Sequence, residues 1–65
     1  MMKLGKILNH TGLSQEVCVI DEKDTDGDVL FAGLTISVPP EMRGYKVVAI
    51  GAYDSALFLD VVVPE

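Results

Sequence analysis

The first hydrophobic pattern in the chain is a short helical one. Leu4, Ile7 and Leu8 have the i, i+3, i+4 spacing that places apolar side chains on one face of a helix. A helix is therefore predicted over residues 3–10. Leu13 is expected to return to the core after this helix ends.

Four patterns typical of β-strands follow. Strands are predicted over residues 16–22, 29–38, 45–52 and 57–63. The first is apolar on both faces, which is typical of an interior strand. The second alternates, with Ile36 on its apolar face and Thr35 on its polar face, and Gly33 marks an expected bulge. In the fourth, Asp60 indicates that the face opposite the apolar one is wet.

The connections between these strands predict the fold class. Residues 23–28 and 53–56 are short, turn-forming segments, so each is expected to close a hairpin. Residues 40–44 are predicted to form a single helical turn between the two hairpins. The predicted fold is α+β: an N-terminal helix packed on a four-stranded, mainly antiparallel sheet made of two hairpins. The whole chain, 1–65, is expected to be one small domain.

Length and composition narrow the function classes. The chain has 65 residues, of which 49% are hydrophobic and 23% charged, a globular composition. A single cysteine excludes an internal disulfide, which makes a reducing cytoplasm the expected compartment. No apolar run approaches the roughly 20 residues that span a membrane, and no signal peptide is recognised at the N-terminus. The net charge of −5 argues against direct nucleic-acid binding.

Nearly all of the excess negative charge lies in one segment. Residues 21–28 contain Lys23 and five carboxylates, for a net charge of −4, and the carboxylates are Asp21, Glu22, Asp24, Asp26 and Asp28. In an extended segment, residues i and i+2 lie about 6.6 Å apart on the same side. Asp24, Asp26 and Asp28 have this spacing, so they are predicted to form a row of carboxylates that imitates a nucleic-acid backbone and binds a basic groove by charge.

Two other interpretations of the acidic segment are a calcium site and a solvated hairpin turn. With Gly27 at position 6 of an EF-hand loop, position 12 is Gly33, where a bidentate Glu is required. Position 9 is Leu30, which has no side-chain oxygen, and both flanks are predicted strands rather than helices. No metal site and no cofactor are therefore expected, although weak, adventitious Ca²⁺ binding stays open beside the solvated turn.

The remaining candidate side chains predict binding rather than catalysis. His10 and Cys18 are the one histidine and the one thiol, and Cys18 lies in an apolar strand, so no nucleophile–base pair and no enzyme are expected. Arg43, Tyr45 and Tyr53 are candidate partner-binding residues, because Arg and Tyr are enriched in binding hot spots. Tyrosines at strand ends also commonly cap a small core, which is the structural alternative.

A succession of motifs covers residues 3–63. Lys-x-x-Lys-Ile-Leu is followed by Glu-Val-Cys-Val-Ile-Asp, an Asp/Gly turn, Val-Leu-Phe-x-Gly, a proline break and Val-Val-x-Ile-x-Ala-Tyr-Asp. This succession resembles the short, acidic proteins of bacterial phages and mobile elements, some of which are anti-CRISPR or other anti-defence inhibitors. The resemblance implies a non-enzymatic inhibitor in the cytoplasm of a bacterial host. Its partner would be a protein, of which a nucleic-acid-binding effector is the expected example.

The alternative function is a small structural or assembly module. Residues 17–20 are apolar on both faces, so the strand that contains them needs a cover on each side. Strand addition at a sheet edge or homodimerisation would supply the second cover. This alternative predicts a dimer at tens of micromolar protein.

Overall fold

The computed structural model describes residues 2–23 and 28–64. They form helix α1 (Leu4–Leu8) and strands β1 (Glu16–Asp21), β2 (Val29–Leu34), β3 (Lys46–Tyr53) and β4 (Ala56–Val62). Between β2 and β3 lie two short 3-10 helices, Thr35–Ser37 and Pro40–Gly44. The predicted α+β class is confirmed.

The strand order of the sheet is β2-β1-β4-β3. Strand β1 pairs antiparallel with β2, and β3 pairs antiparallel with β4, but the central strands β1 and β4 are parallel. The prediction of a mainly antiparallel sheet is thereby corrected, since the sheet is mixed. Parallel neighbours require a long crossover connection, and the segment after β2 with its two 3-10 helices supplies that length.

The core lies on one face of this sheet. Leu4 and Leu8, one helical turn apart on α1, are 0% and 2% exposed. The same buried cluster contains side chains from β1, β3, β4 and the crossover, namely Val17, Val19, Val38, Val47, Leu59 and Val61. We call this covered side of the sheet the core face.

Two contacts hold the short helix α1 in place. The backbone N–H of Leu4, which has no partner within the helix, donates a 2.8 Å hydrogen bond to the carbonyl of Tyr45. At Gly5 the helix approaches the second 3-10 helix so closely that a Cβ would lie 3.1 Å from the Cβ of Arg43. Glycine at this position therefore permits the approach.

Strand β2 is shorter than predicted, and the burial of the two residues after it, Thr35 and Ile36, is the opposite of the prediction. The strand ends at Leu34, and a 3-10 helix begins at Thr35, which donates both its N–H and its hydroxyl to the carbonyl of Gln15, each over 2.9 Å. Thr35, predicted on the polar face, is completely buried, whereas Ile36 is 62% exposed. Leu13 is also 62% exposed, so its predicted return to the core is wrong.

Two irregularities mark the edge strands. The register skips one residue opposite Val19/Ile20, which leaves Leu30 as the extra residue, and another at Val48 on β3. Gly33 keeps a regular pairing, so the bulge predicted there is wrong. The predicted tight turn at residues 53–56 is confirmed: Tyr53 pairs with Ala56, and both residues between them have positive φ, as a two-residue hairpin loop requires.

Candidate functional site

The second face of the sheet is the most distinctive surface of the described chain. Its residues alternate along each strand with those of the core face, and the strand registers place them side by side. They are Glu16, Cys18, Ile20, Val29, Ala32, Leu34, Lys46, Ala49, Gly51, Tyr53, Ala56, Phe58, Asp60 and Val62. We call this surface the open face.

No residue of the open face is buried. At its margins Val29 is 52% exposed, Leu34 41% and Tyr53 76%, whereas four core-face residues of β1 and β4 are at most 2% exposed. Apart from Glu16, Lys46 and Asp60, the face carries no charge. Its apolar side chains therefore meet solvent in the described chain.

The size of this surface is that of a functional patch. Four strands about 4.8 Å apart, each contributing about six residues at 3.3 Å, give a face of roughly 400 Å². The largest apolar patch on a typical monomeric protein covers about 300–600 Å² and often serves a function. The open face therefore has the area expected of a binding surface.

Asp60 is the one charged residue within the apolar part of the open face. It is half-buried, and the registers place it between Ile20 of β1 and Ala49 of β3. Burial raises the pKa of the nearby Cys18 thiol, and the negative charge of Asp60 raises this pKa further. Cys18 therefore stays a protonated thiol at neutral pH, which makes it a poor nucleophile.

The histidine and the cysteine do not form a catalytic pair. His10 follows helix α1, whose Leu4 and Leu8 belong to the core cluster, and the side chain of His10 is exposed. Cys18 lies on the open face, so the sheet separates the two side chains. In residues 2–23 and 28–64, moreover, no three His, Cys, Asp or Glu side chains are grouped closely enough to hold a metal ion.

Three of the predicted acidic residues gather at one end of the sheet. Asp21 ends β1, and its N–H donates a 3.0 Å hydrogen bond to the carbonyl of Asp28. The N–H of Glu22 donates to Val61 over 2.9 Å, while an oxygen of Asp21 accepts from the N–H of Lys23 over 3.0 Å. Glu22 and Asp28 are exposed. We call this region the acidic end.

The two remaining acidic candidates, Asp24 and Asp26, lie outside the described residues. The spacing of the predicted carboxylate row therefore rests on the sequence pattern. The third member of the row, Asp28, accepts the backbone hydrogen bond from Asp21 described above.

Two of the predicted anchor residues have structural contacts. Arg43 is half-buried in the second 3-10 helix and donates from Nη1 to the side-chain oxygen of Asn9 over 3.3 Å. Tyr45 is half-buried and packs against the core cluster. Both side chains therefore help to fix the crossover segment beside helix α1.

Tyr53 lies on the open face, far from the acidic end. It pairs with Ala56 at the start of β4, whereas Asp21 pairs with Val61 near the end of that strand. Five residues of extended chain separate these pairs by about 16 Å. The structure therefore places Tyr53 at one end of the sheet and the acidic residues at the other, and it does not unite the predicted residues in one site.

The open face contains residues that the sequence did not single out for binding, above all Phe58 and Asp60. One signal was present: β1 is apolar on both faces, which requires a second cover for the sheet. The contribution of the other strands to this surface follows only from the strand order, because β3 and β4 are far from β1 in the sequence and yet β4 lies next to it in the sheet.

A separate apolar groove lies beside the edge strand β3. It has a volume of about 370 Å³ and is lined by Met2, Ile7 and residues 47–50. The N-terminal segment pairs with the beginning of β3 beside it, since the N–H of Val47 donates to the carbonyl of Met2 over 2.9 Å. The lining offers no ionisable side chain, so it is suited to apolar contact.

Comparison with known proteins adds no relative. No protein-family model matches the chain, and no curated protein and no solved structure is similar to it. Among the described residues, no helix is both long and apolar enough to cross a membrane.

Proposed function

We propose that this chain is a non-enzymatic protein-binding module and that the open face is its docking surface. The observation that carries the proposal is the apolar, unburied second face of the sheet, centred on Cys18 and Phe58. An interface of roughly 400 Å² on each partner buries about 800 Å² in total, which is below the roughly 1,200 Å² of stable specific complexes and in the range of weak, transient ones. The module therefore binds transiently unless further contacts outside the face add to the interface.

The chemistry of the face supports binding over catalysis. Cys18 has a raised pKa, and the other central side chains are apolar, so the face offers shape and hydrophobic area rather than reactive groups. Removing apolar surface from water stabilises a complex by about 25 cal/mol per Å² before the cost of association.

Site-specific photo-crosslinking in the expressing cell tests this proposal. A benzophenone amino acid replaces Phe58 in one variant and Ile36 in a matched control. Both natural residues are large and apolar, and Ile36 is 62% exposed in the first 3-10 helix, outside the strands that form the open face. We expect irradiation to give a discrete covalent adduct from position 58 and none from position 36. Mass spectrometry of the adduct then identifies the occupant.

Two results would contradict the open-face proposal. Equal adduct patterns from the two positions would mean that exposure alone, not the face, determines the crosslink. The absence of any adduct from position 58 in a folded variant would mean that the face has no occupant in the cell. An adduct of twice the 7.0 kDa chain mass would indicate homodimerisation, the assembly function of the alternative.

A second candidate function is inhibition of a nucleic-acid-binding effector through the acidic end. The observation that favours it is the convergence of Asp21, Glu22 and Asp28, with Glu22 and Asp28 exposed. Such a surface attracts a basic groove over a distance of about 8 Å at physiological salt. An anti-CRISPR or other anti-defence role in a bacterial cytoplasm is the specific form of this candidate.

A further inference from the structure

We propose that the occupant of the open face is a basic amphipathic helix of a partner protein, with its apolar side on the face and one Lys or Arg paired with Asp60. This inference rests on the proposed function of the open face and names the chemistry of the partner.

The dimensions of the open face suit a helix. Six residues of extended strand give a length of about 20 Å, which corresponds to about 13 residues, or three to four turns, of α-helix. On the opposite face of the same sheet, Leu4 and Leu8 of helix α1 belong to the buried cluster formed with side chains of the strands. A partner helix would complete the layered arrangement of a sheet with helices on both faces.

Asp60 determines the charge of the partner. Within residues 2–23 and 28–64 its carboxylate has neither a hydrogen bond nor an ion pair. Its neighbours on the adjacent strands are apolar, so an apolar partner would leave a buried, unpaired carboxylate, which is strongly destabilising. A cation on the partner removes this cost, and a charge-assisted hydrogen bond then fixes the register of the helix.

A second copy of the chain fits this requirement less well. Each copy has a net charge of −5 and would bring its own Asp60 into the interface. The acidic end also borders the face, and three of its carboxylates are those of Asp21, Glu22 and Asp28. A basic partner gains from all of these charges, whereas a second copy is repelled by them.

Synthetic peptides supply the probe. The leucine–lysine peptide is a helical peptide of about 14 residues with leucines on one side and lysines on the other. In the serine peptide the leucines are replaced with serine, and in the glutamate peptide the lysines are replaced with glutamate. We expect only the leucine–lysine peptide to bind with micromolar affinity and to slow the alkylation of Cys18. Cys18 lies at the centre of the open face, so its protection reports occupancy of that face.

Two matched variants distinguish the effect of the position of Asp60 from the effect of the net charge of the protein. Asp60→Asn removes one negative charge from the open face, and Asp54→Asn removes the same charge from the hairpin tip, where Asn tolerates the positive φ. We expect Asp60→Asn to weaken the leucine–lysine peptide about tenfold and Asp54→Asn to weaken it less than about twofold.

Several outcomes would overturn the inference. The first is an equal loss of affinity for the leucine–lysine peptide in the two variants. The second is binding of the serine peptide as tight as that of the leucine–lysine peptide, and the third is protection of Cys18 by the glutamate peptide. The last two are measured on the unchanged protein. Protection of Cys18 that rises with the concentration of the protein alone would assign the face to a second copy. That result would contradict the proposal of a basic partner helix and would still support the open face as a docking surface. The lack of any crosslink from position 58 would contradict both proposals.

Discussion

The Leu59→Ala variant should unfold at a much lower urea concentration than the parent chain. Leu59 is completely buried on the central strand β4 and belongs to the same cluster as Leu4 and Leu8 of helix α1. Truncating a buried leucine to alanine costs about 2–5 kcal/mol, because it removes apolar contacts and leaves a cavity. A domain of this length has a total stability of only roughly 3–10 kcal/mol, so the variant loses a large share of it.

Urea unfolding followed by circular dichroism checks this expectation. Leu13→Ala is the matched control, since Leu13 is 62% exposed and its truncation should change the free energy of unfolding by less than about 0.5 kcal/mol. Equal midpoints for the two variants would contradict the position of Leu59 in the core.

Replacing Asp24, Asp26 and Asp28 together with Asn should abolish inhibition if the acidic end acts on a basic groove. Losing one partner of a desolvated charge pair costs about 2–5 kcal/mol, which is about 30-fold to several-thousand-fold in affinity. The stability of the fold should be unchanged or slightly higher, because exposed like charges repel and exposed ion pairs are worth at most about 1 kcal/mol. The measurement is DNA cleavage by guide-loaded CRISPR effector nucleases, with and without the protein.

The control for this variant is the replacement of Glu41, Asp54 and Glu65 with the corresponding amides, which removes the same charge from other parts of the sequence. The acidic inhibitor proposal is abandoned if the triple Asn variant inhibits as strongly as the parent. It is also abandoned if inhibition by the parent is insensitive to salt between about 50 and 500 mM. Loss of folding in the triple variant would instead show that the aspartates hold the turn through backbone hydrogen bonds.

The local patterns of the sequence predicted the elements and the class of the fold. Leu4 and Leu8 point into the core as the helical spacing required, and the tight turn between β3 and β4 lies where the polar residues placed it. Thr35 shows where local pattern fails. Its hydroxyl and N–H both bond to Gln15, a contact between residues 20 positions apart, and this contact outweighs the alternation that continued through Ile36.

Asp60 shows why the candidate site could not be predicted in the same way. Within its own strand, one aspartate indicates that the face is wet. In the sheet, the same residue lies beside Ile20 on one side and Ala49 on the other, so it is a carboxylate between apolar neighbours. That neighbourhood depends on the parallel pairing of β1 with β4, which arises from the crossover and leaves no periodic signal in either strand.

The reaction rate of the Cys18 thiol in the living cell tests the central claim most directly. A cell-permeable maleimide is added to cells that express the protein, and the rate is compared with that of the purified, dilute protein at the same pH. Ile36→Cys in a Cys18→Ser background controls for reagent entry, because Ile36 is exposed in the first 3-10 helix, outside the strands that form the open face. The open-face account predicts that Cys18 reacts at least about tenfold more slowly in the cell while the control reacts at equal rates. Equal rates for Cys18 in the cell and in dilute solution would contradict it.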